Sequence, residues 1–143
     1  MKTIYLLMHR IVQYDCHNKE EIRDTKLLGF FSSKKLCLEA IEFYCSIEGF
    51  KDYPDSFLIQ RNRIDVNDFN NISNHYNKKV YNLTHEWYDG EYDYISDLGC
   101  YSTYENAKIA QSLYETEDEY KDHVDGFCID EYDVNQKHWL YGF

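Results

Sequence analysis

Two histidines and four aspartates are the candidate metal-binding or proton-transferring residues of this chain, because each recurs at an equivalent position. His9 and His85 each end a Y-x-L-x-H segment, and aspartates recur in the same way as the pairs Asp52/Asp122 and Asp55/Asp125. Imidazoles and carboxylates that converge could bind a metal ion or exchange protons, so His9 and His85 are the candidate metal ligands. We favour a structural alternative, in which each imidazole ends a buried strand face and hydrogen-bonds to the backbone or to a tyrosine.

The aspartates and the remaining motifs point away from catalysis. Asp52 and Asp55 flank a tight connection, where aspartates commonly bond to their own backbone. The sequence contains no Gly-rich phosphate loop, no G-x-S-x-G and no H-E-x-x-H, each of which would indicate a particular chemistry. We therefore predict no catalytic residue and no cofactor, and we expect a protein that is not an enzyme.

A second set of candidates combines carboxylates with tyrosines. Residues 88–94 and 115–120 mix acidic and aromatic side chains. Tyrosine supplies contact area at protein interfaces, and carboxylates attract basic surfaces. We predict a partner-binding face made of Tyr88, Asp89, Glu91, Tyr92, Asp93, Glu115, Glu117, Asp118, Glu119 and Tyr120. The simpler alternative is a solvated face that only favours solubility.

The charge of the chain is strongly negative and unevenly distributed. Its 143 residues contain 15 Lys and Arg against 26 Asp and Glu, a net charge of −11. Residues 1–70 carry a net charge of −1 and residues 71–143 a net charge of −10. This excess of carboxylates disfavours binding to nucleic acid and to anionic membranes. Five cysteines without a C-x-x-C pair indicate reduced thiols and a cytoplasmic protein.

The elements that must position these residues are given by an internal repeat. Residues 28–69 align without a gap with residues 98–139, and 10 of the 42 aligned positions are identical. The pattern predicts an α+β fold of two tandem β-β-α-β repeats packed as one pseudo-twofold domain, with a mainly antiparallel sheet and helices on one face. We expect the first repeat over 1–67, a linker over 68–78, and a second, acidic repeat over 79–143.

Helix and loop boundaries follow from capping residues and periodicity. Serine and threonine at 32–33 and 102–103 are typical N-caps, and Ser102 with Glu105 fits a capping box. Apolar stripes then predict helices over about 34–48 and 103–118. The polar segments 13–25 and 88–96 are expected to be loops between paired strands.

The repeats also resemble a small bacterial domain family of unknown function. Its units read Y-x-L-x-H, L-G-x-Y-S, Y-P-D-G-F-x-I and H-W-x-x-G-F. This chain has Tyr81-x-Leu83-x-His85, Leu98-Gly99-x-Tyr101-Ser102, Tyr53-Pro54-Asp55-x-Phe57-x-Ile59 and His138-Trp139-x-x-Gly142-Phe143. It departs from the pattern at Asn62 and at His123-Val124. The resemblance implies the fold and a bacterial source, and it brings no activity to transfer.

Three functions follow from these observations. The first is a non-enzymatic module whose acidic, tyrosine-rich face binds a basic protein, as an immunity protein or an antitoxin-like inhibitor would. The second is a small-ligand or metal site between the repeats, built around His9 and His85. The third is a homo-oligomerisation module that pairs through a sheet edge, so the protein is expected to be a monomer or a homodimer.

Overall fold

A computed structural model describes residues 3–14, 16–17, 20–66 and 79–143, with the backbone alone at 20–23. The predicted linker at 68–78 lies outside these residues. Each repeat has two strands, a helix and a third strand, which confirms the α+β class and the β-β-α-β order. The elements are β1 (Thr3–Tyr14), β2 (Glu20–Phe31), α1 (Lys34–Tyr44), β3 (Phe57–Arg63), β4 (Lys79–Tyr88), β5 (Asp93–Tyr101), α2 (Tyr104–Tyr114) and β6 (Phe127–Asp133).

Each repeat builds its own three-stranded antiparallel sheet around its first strand. The strand orders are β2-β1-β3 and β5-β4-β6. The central strand sends alternate side chains towards the helix, because successive residues of a strand point to opposite faces. Leu7 on β1 and Leu83 on β4 are both fully buried in this way. They contact the helix stripes, which end in Tyr44 and Tyr114.

The helices begin as expected and end earlier. Ser33 and Thr103 are the N-caps, and their hydroxyls accept the amides of Leu36 at 3.2 Å and Asn106 at 3.0 Å. The predicted capping box is wrong, because Ser102 precedes the cap and bonds elsewhere. Both helices have 11 residues and stop at a buried tyrosine. The carbonyls of the last helical turn accept amides of the tight turns that follow, so they are satisfied without further helix.

The predicted polar loops are mostly strand. β1 continues to Tyr14 and β2 starts at Glu20, while the second hairpin leaves only residues 89–92 unpaired. Polar side chains are compatible with a two-stranded ribbon that reaches into solvent, because its backbone groups bond across the ladder whatever the side chains are. The prediction of loops over 13–25 and 88–96, which was based on composition, therefore placed these strand ends wrongly.

The described chain divides into two compact units that do not coincide with the repeats. The N-terminal unit consists of Ile4–Arg61 together with Val134–Phe143, and the C-terminal unit contains Asn62–Asp133. The segment that follows each repeat's last strand thus packs on the other repeat. Ile64 bridges to Cys100 and Val134 bridges to Phe30, both in parallel, and these pairs occupy equivalent positions of the alignment.

One residue in each exchanged segment closes this contact. Asp65 and Asn135 have φ angles of 60° and 64°, and each accepts a backbone amide just before a helix. Asp65 bonds to the Ser102 amide at 2.8 Å, and Asn135 bonds to the Ser32 amide at 2.8 Å. The sequence reading missed this exchange, although the aligned positions 65 and 135 both carry a short polar residue of the kind that adopts positive φ.

Candidate functional site

The turn of the β4–β5 hairpin is held by Asp89. Its carboxylate accepts the amides of Tyr92 at 2.7 Å and Glu91 at 2.8 Å, and the hydroxyl of Tyr94 at 3.0 Å. These bonds, the amides first, hold the pKa of Asp89 below its usual value, and the same carboxylate raises the pKa of Tyr94. Asp89 is therefore a charged clamp that orders the tip of the hairpin.

An exposed aromatic surface lies on one face of this hairpin. Tyr88 pairs with Asp93, and Glu86 pairs with Ile95, so these four side chains share a face. Tyr88 is 63% exposed and Ile95 is 70% exposed, while Tyr92 at the tip is 60% exposed. We call Glu86, Tyr88, Glu91, Tyr92, Asp93 and Ile95 the hairpin surface. The sequence analysis missed Glu86 and Ile95, because residues 88–96 were expected to form a loop, to which strand alternation does not apply.

The opposite face of the hairpin carries an aromatic stack. Trp87 stacks against Tyr94 with centroids 4.5 Å apart, and against His123 with centroids 3.9 Å apart. The stack ties the hairpin to the connection that follows α2. It stiffens the element that presents the hairpin surface, because two of the three rings are cross-strand partners.

The second predicted run is placed differently from the first. Residues 115–119 follow α2 and lie on the helix side of the sheet, whereas Tyr88 and Asp93 point to the other side. Glu115 accepts a bond from Gln111 at 3.0 Å, and Asp118 pairs with Lys121 at 3.0 Å. The two runs therefore do not form one continuous face.

Tyr120 requires a correction. It is only 7% exposed and packs against His85, Tyr114 and Phe127 with centroids 4.8, 5.9 and 5.7 Å apart. Its ring belongs to the core of the C-terminal unit, so it is not a surface anchor. The acidic residues around it hid this role, because a local charge run says little about the direction of one side chain.

The two candidate histidines lie in different units, and each is engaged by its own repeat. His9 Nε2 donates to the Tyr53 carbonyl at 3.1 Å, and His85 Nε2 donates to the His123 carbonyl at 2.7 Å. Tyr53 and His123 are equivalent positions, so the arrangement is repeated. Both imidazoles are buried. Across the described ranges, no group of three or more His, Cys, Asp or Glu residues is arranged to hold a metal ion.

Aromatic rings and a lysine surround His9. Phe50, Phe57 and Phe143 have ring centroids 5.0, 4.8 and 5.9 Å from it. Lys26 lies 3.8 Å from the centre of the Phe143 ring and pairs with Asp24. Burial first, and then the Lys26 charge, lower the pKa of His9, although its bond to the Tyr53 carbonyl acts in the opposite direction.

This lowered pKa predicts a pH dependence of stability. The folded state keeps His9 neutral while the unfolded chain takes up a proton below its ordinary pKa of 6.5. The free energy of unfolding therefore falls as pH drops below about 6.5 and changes little above it for this group. Urea unfolding between pH 5 and 8 checks this, with His9→Phe as the comparison. The substitution should flatten the slope below pH 6.5; equal slopes, or an NMR pKa for His9 at or above 6.5, would contradict it.

The cysteines carry free thiols, and two of them, Cys37 and Cys100, are buried. Burial raises the pKa of Cys37 to about 11 and, with a contribution from the Asp97 charge, that of Cys100 to about 12. A thiol with a raised pKa is a poor nucleophile, because the thiolate is the reactive form.

Within the part of the chain that the structure describes, no helix has the length and apolar character needed to cross a membrane.

These features define an α+β protein of two β-β-α-β repeats, the second of which carries an acidic and tyrosine-rich hairpin between β4 and β5. Residues 78–143, which contain the whole second repeat, match the model of a family described as Domain of unknown function (DUF7336). The resemblance to an uncharacterised domain family is thereby confirmed. No match is found among curated proteins or among solved structures.

Proposed function

We propose that this protein is a non-enzymatic binding module whose hairpin surface engages a basic protein partner. One observation carries the proposal: two tyrosines and an isoleucine, each at least 60% exposed, lie beside carboxylates on one ordered hairpin. Exposed apolar rings are costly in water, and tyrosine is enriched among the residues that dominate binding energies. The charge of the surface selects a partner of opposite sign.

The hairpin is suited to binding because it is already ordered. The Asp89 bonds and the Trp87 stack fix the tip before any partner arrives, so little conformational entropy is lost on association. Tyr88 adds a further constraint, since its hydroxyl donates to the Gly90 carbonyl at 2.8 Å. This rigidity distinguishes the hairpin from a solvated acidic ribbon, which would need no such clamps.

The acidic residues at 115–119 take a secondary role in this proposal. They lie on the other side of the sheet, and Asp118 is already paired with Lys121. Their charge adds to the field that attracts a basic partner, and such a field acts mainly on the association rate. An inhibitor that neutralises a basic protein, as an immunity protein or antitoxin does, fits this arrangement. Five free thiols are in keeping with a cytoplasmic location.

Site-specific photocrosslinking in cells of the source organism tests the proposal. A photoreactive amino acid replaces Tyr92 in one variant and Tyr141 in the matched control. Both tyrosines are well exposed, at 60% and 80%, and they belong to different units. We expect one basic protein to be trapped from position 92 and not from position 141. The same products from both positions, or none, would count against the hairpin.

Binding measurements on this protein and its purified partner then distinguish direct contact by the hairpin surface from long-range electrostatic attraction. Tyr92→Ala is expected to weaken binding about thirtyfold, mainly through faster dissociation. Glu91→Lys with Asp93→Lys should weaken it at least as much, while Glu117→Lys with Glu119→Lys, an equal change of charge on the other face, should slow association by only about threefold. Equal effects of the two charge reversals would show that only net charge matters and would overturn the contact surface.

A further inference from the structure

The N-terminal unit has a groove beside α1 that the hairpin proposal does not use. Its volume is about 470 Å³, and it is lined by Tyr5, Lys34, Ile41, Phe57, Ile59 and Arg61. The four apolar residues are half-buried and rest on the core below. A groove of this volume with an apolar floor and a few charged groups has the composition of a small-molecule site.

The equivalent position of the second repeat has different residues at its rim. Three of its four floor positions keep their character, since Tyr81, Phe127 and Ile129 are equivalent to Tyr5, Phe57 and Ile59. The fourth, Ile41, is replaced by the polar Gln111. Lys34, however, is replaced by Tyr104, whose ring lies edge-on to Tyr81 with centroids 6.3 Å apart. In that repeat an aromatic side chain therefore packs against the floor tyrosine.

The other rim position differs in charge as well as in contact. Arg61 is replaced by Glu131, which accepts the Tyr81 hydroxyl at 3.0 Å and pairs with Lys79 at 3.3 Å. In the second repeat the rim thus bonds to the floor tyrosine and to a neighbouring strand end. In the first repeat both rim positions are cationic, and among the described residues neither Lys34 nor Arg61 forms an ion pair.

The rim points to the charge of a ligand. Both cations are exposed at the edge of the groove, while their methylene stems and the rings below supply apolar contact. Arginine is suited to binding a planar carboxylate or a phosphate through two parallel bonds, and lysine adds a point charge. The two cations belong to residues 1–70, whose net charge is only −1, whereas residues 71–143 carry a net charge of −10.

We propose that this groove binds a small anionic amphiphile, a molecule with an apolar body and a carboxylate or phosphate group. The apolar body lies on Tyr5, Ile41, Phe57 and Ile59, and the anion reaches Arg61 and Lys34. The first repeat is then a ligand site, and the second repeat is its closed counterpart. The proposal is independent of the hairpin surface, which belongs to the other unit.

Titration of the full chain by ¹H–¹⁵N NMR tests this site. The probes are 4-phenylbutyrate, phenyl phosphate and, as the neutral control, 4-phenylbutyramide. We expect saturable shifts of groove residues with the two anions and weaker, roughly tenfold, binding of the amide. The tighter of the two anions identifies the head group, and either result supports the site. An amide that binds as well as the acid, or shifts centred elsewhere, overturns it.

Variants that copy the second repeat provide the matched test. Arg61→Glu should weaken 4-phenylbutyrate binding roughly fivefold to tenfold, and Lys34→Tyr should block the floor. Lys35→Glu makes the same change of charge at an exposed position outside the groove and should leave binding unchanged. Equal weakening by Arg61→Glu and Lys35→Glu would reduce the effect to net charge. Tighter binding of a hexaglutamate peptide than of the small acids would also contradict the assignment.

Discussion

Replacement of Asp65 by alanine is expected to lower the free energy of unfolding by about 3–4 kcal/mol. Asp65 is 2% exposed, and its carboxylate accepts the Ser102 amide at 2.8 Å, the Ser102 hydroxyl at 2.6 Å and the Asn106 side chain at 3.2 Å. Alanine leaves these buried donors without an acceptor. It must also adopt a φ of 60°, which alanine tolerates less well than aspartate because it has no short polar side chain to bond locally.

Asp65→Asn is the matched control, because the protein already uses that residue in the equivalent contact. Asn135 has a φ of 64° and bonds to Ser32 through its amide oxygen at 2.8 Å and its amide nitrogen at 3.0 Å. We expect Asp65→Asn to change the unfolding free energy by no more than about 1 kcal/mol. Urea unfolding followed by circular dichroism measures both variants, and hydrogen exchange should show loosening at the start of α2 only for alanine. A loss in Asp65→Asn as large as that in Asp65→Ala would contradict the equivalence of the two contacts, and a loss below about 1 kcal/mol in Asp65→Ala would mean that the exchanged segment contributes little to stability.

Gly49→Ala is expected to lower the free energy of unfolding by about 2–3 kcal/mol and to displace Phe143. Gly49 has a φ of 89°, and a Cβ atom there would lie 2.6 Å from the Phe143 carbonyl oxygen. Phe143 is held in that place because its amide donates to the Glu48 carbonyl at 3.1 Å and its ring packs edge-on against Phe50 at 4.9 Å. The added methyl group would clash with Phe143 in this position.

Gly90→Ala separates the two causes. Gly90 also has a positive φ, 101°, but a Cβ atom there would meet nothing within 4 Å, so only the backbone cost of about 1–2 kcal/mol remains. The excess loss in Gly49→Ala measures the displaced segment. Trp139 fluorescence in a Trp87→Phe background reports it directly, and an emission spectrum unchanged by Gly49→Ala would be inconsistent with the contact.

Features that depend on short sequence spacing were predictable. The β-β-α-β order, the helix stripes that end in Tyr44 and Tyr114, and the two equivalent strand histidines all follow from periods of two and 3.6 residues. The favoured structural role of His9 and His85 also agrees with their carbonyl bonds, since an imidazole at the end of a buried face needs a nearby partner. These are properties that a residue acquires from its immediate neighbours in the chain.

Features that depend on pairing through space were not predictable. The acidic run at 115–120 was expected to form one face with residues 88–93, but strand alternation and helix placement put the two on opposite sides of the sheet. Tyr120 is buried because its ring packs in the core beside His85. The groove beside α1 is lined by Lys34 and Arg61, whose counterparts in the second repeat are Tyr104 and Glu131.

The repeat, the order of its elements and the apolar stripe of each helix can thus be deduced from the amino-acid sequence. That each repeat's last segment packs on the other repeat, with Asp65 at Ser102 and Asn135 at Ser32, is visible only in the folded chain. Periodicity reports which face of an element is apolar, because that pattern is written in consecutive residues. The partner of that face is chosen by shape and hydrogen bonding between segments far apart in the chain, and no local pattern carries that information.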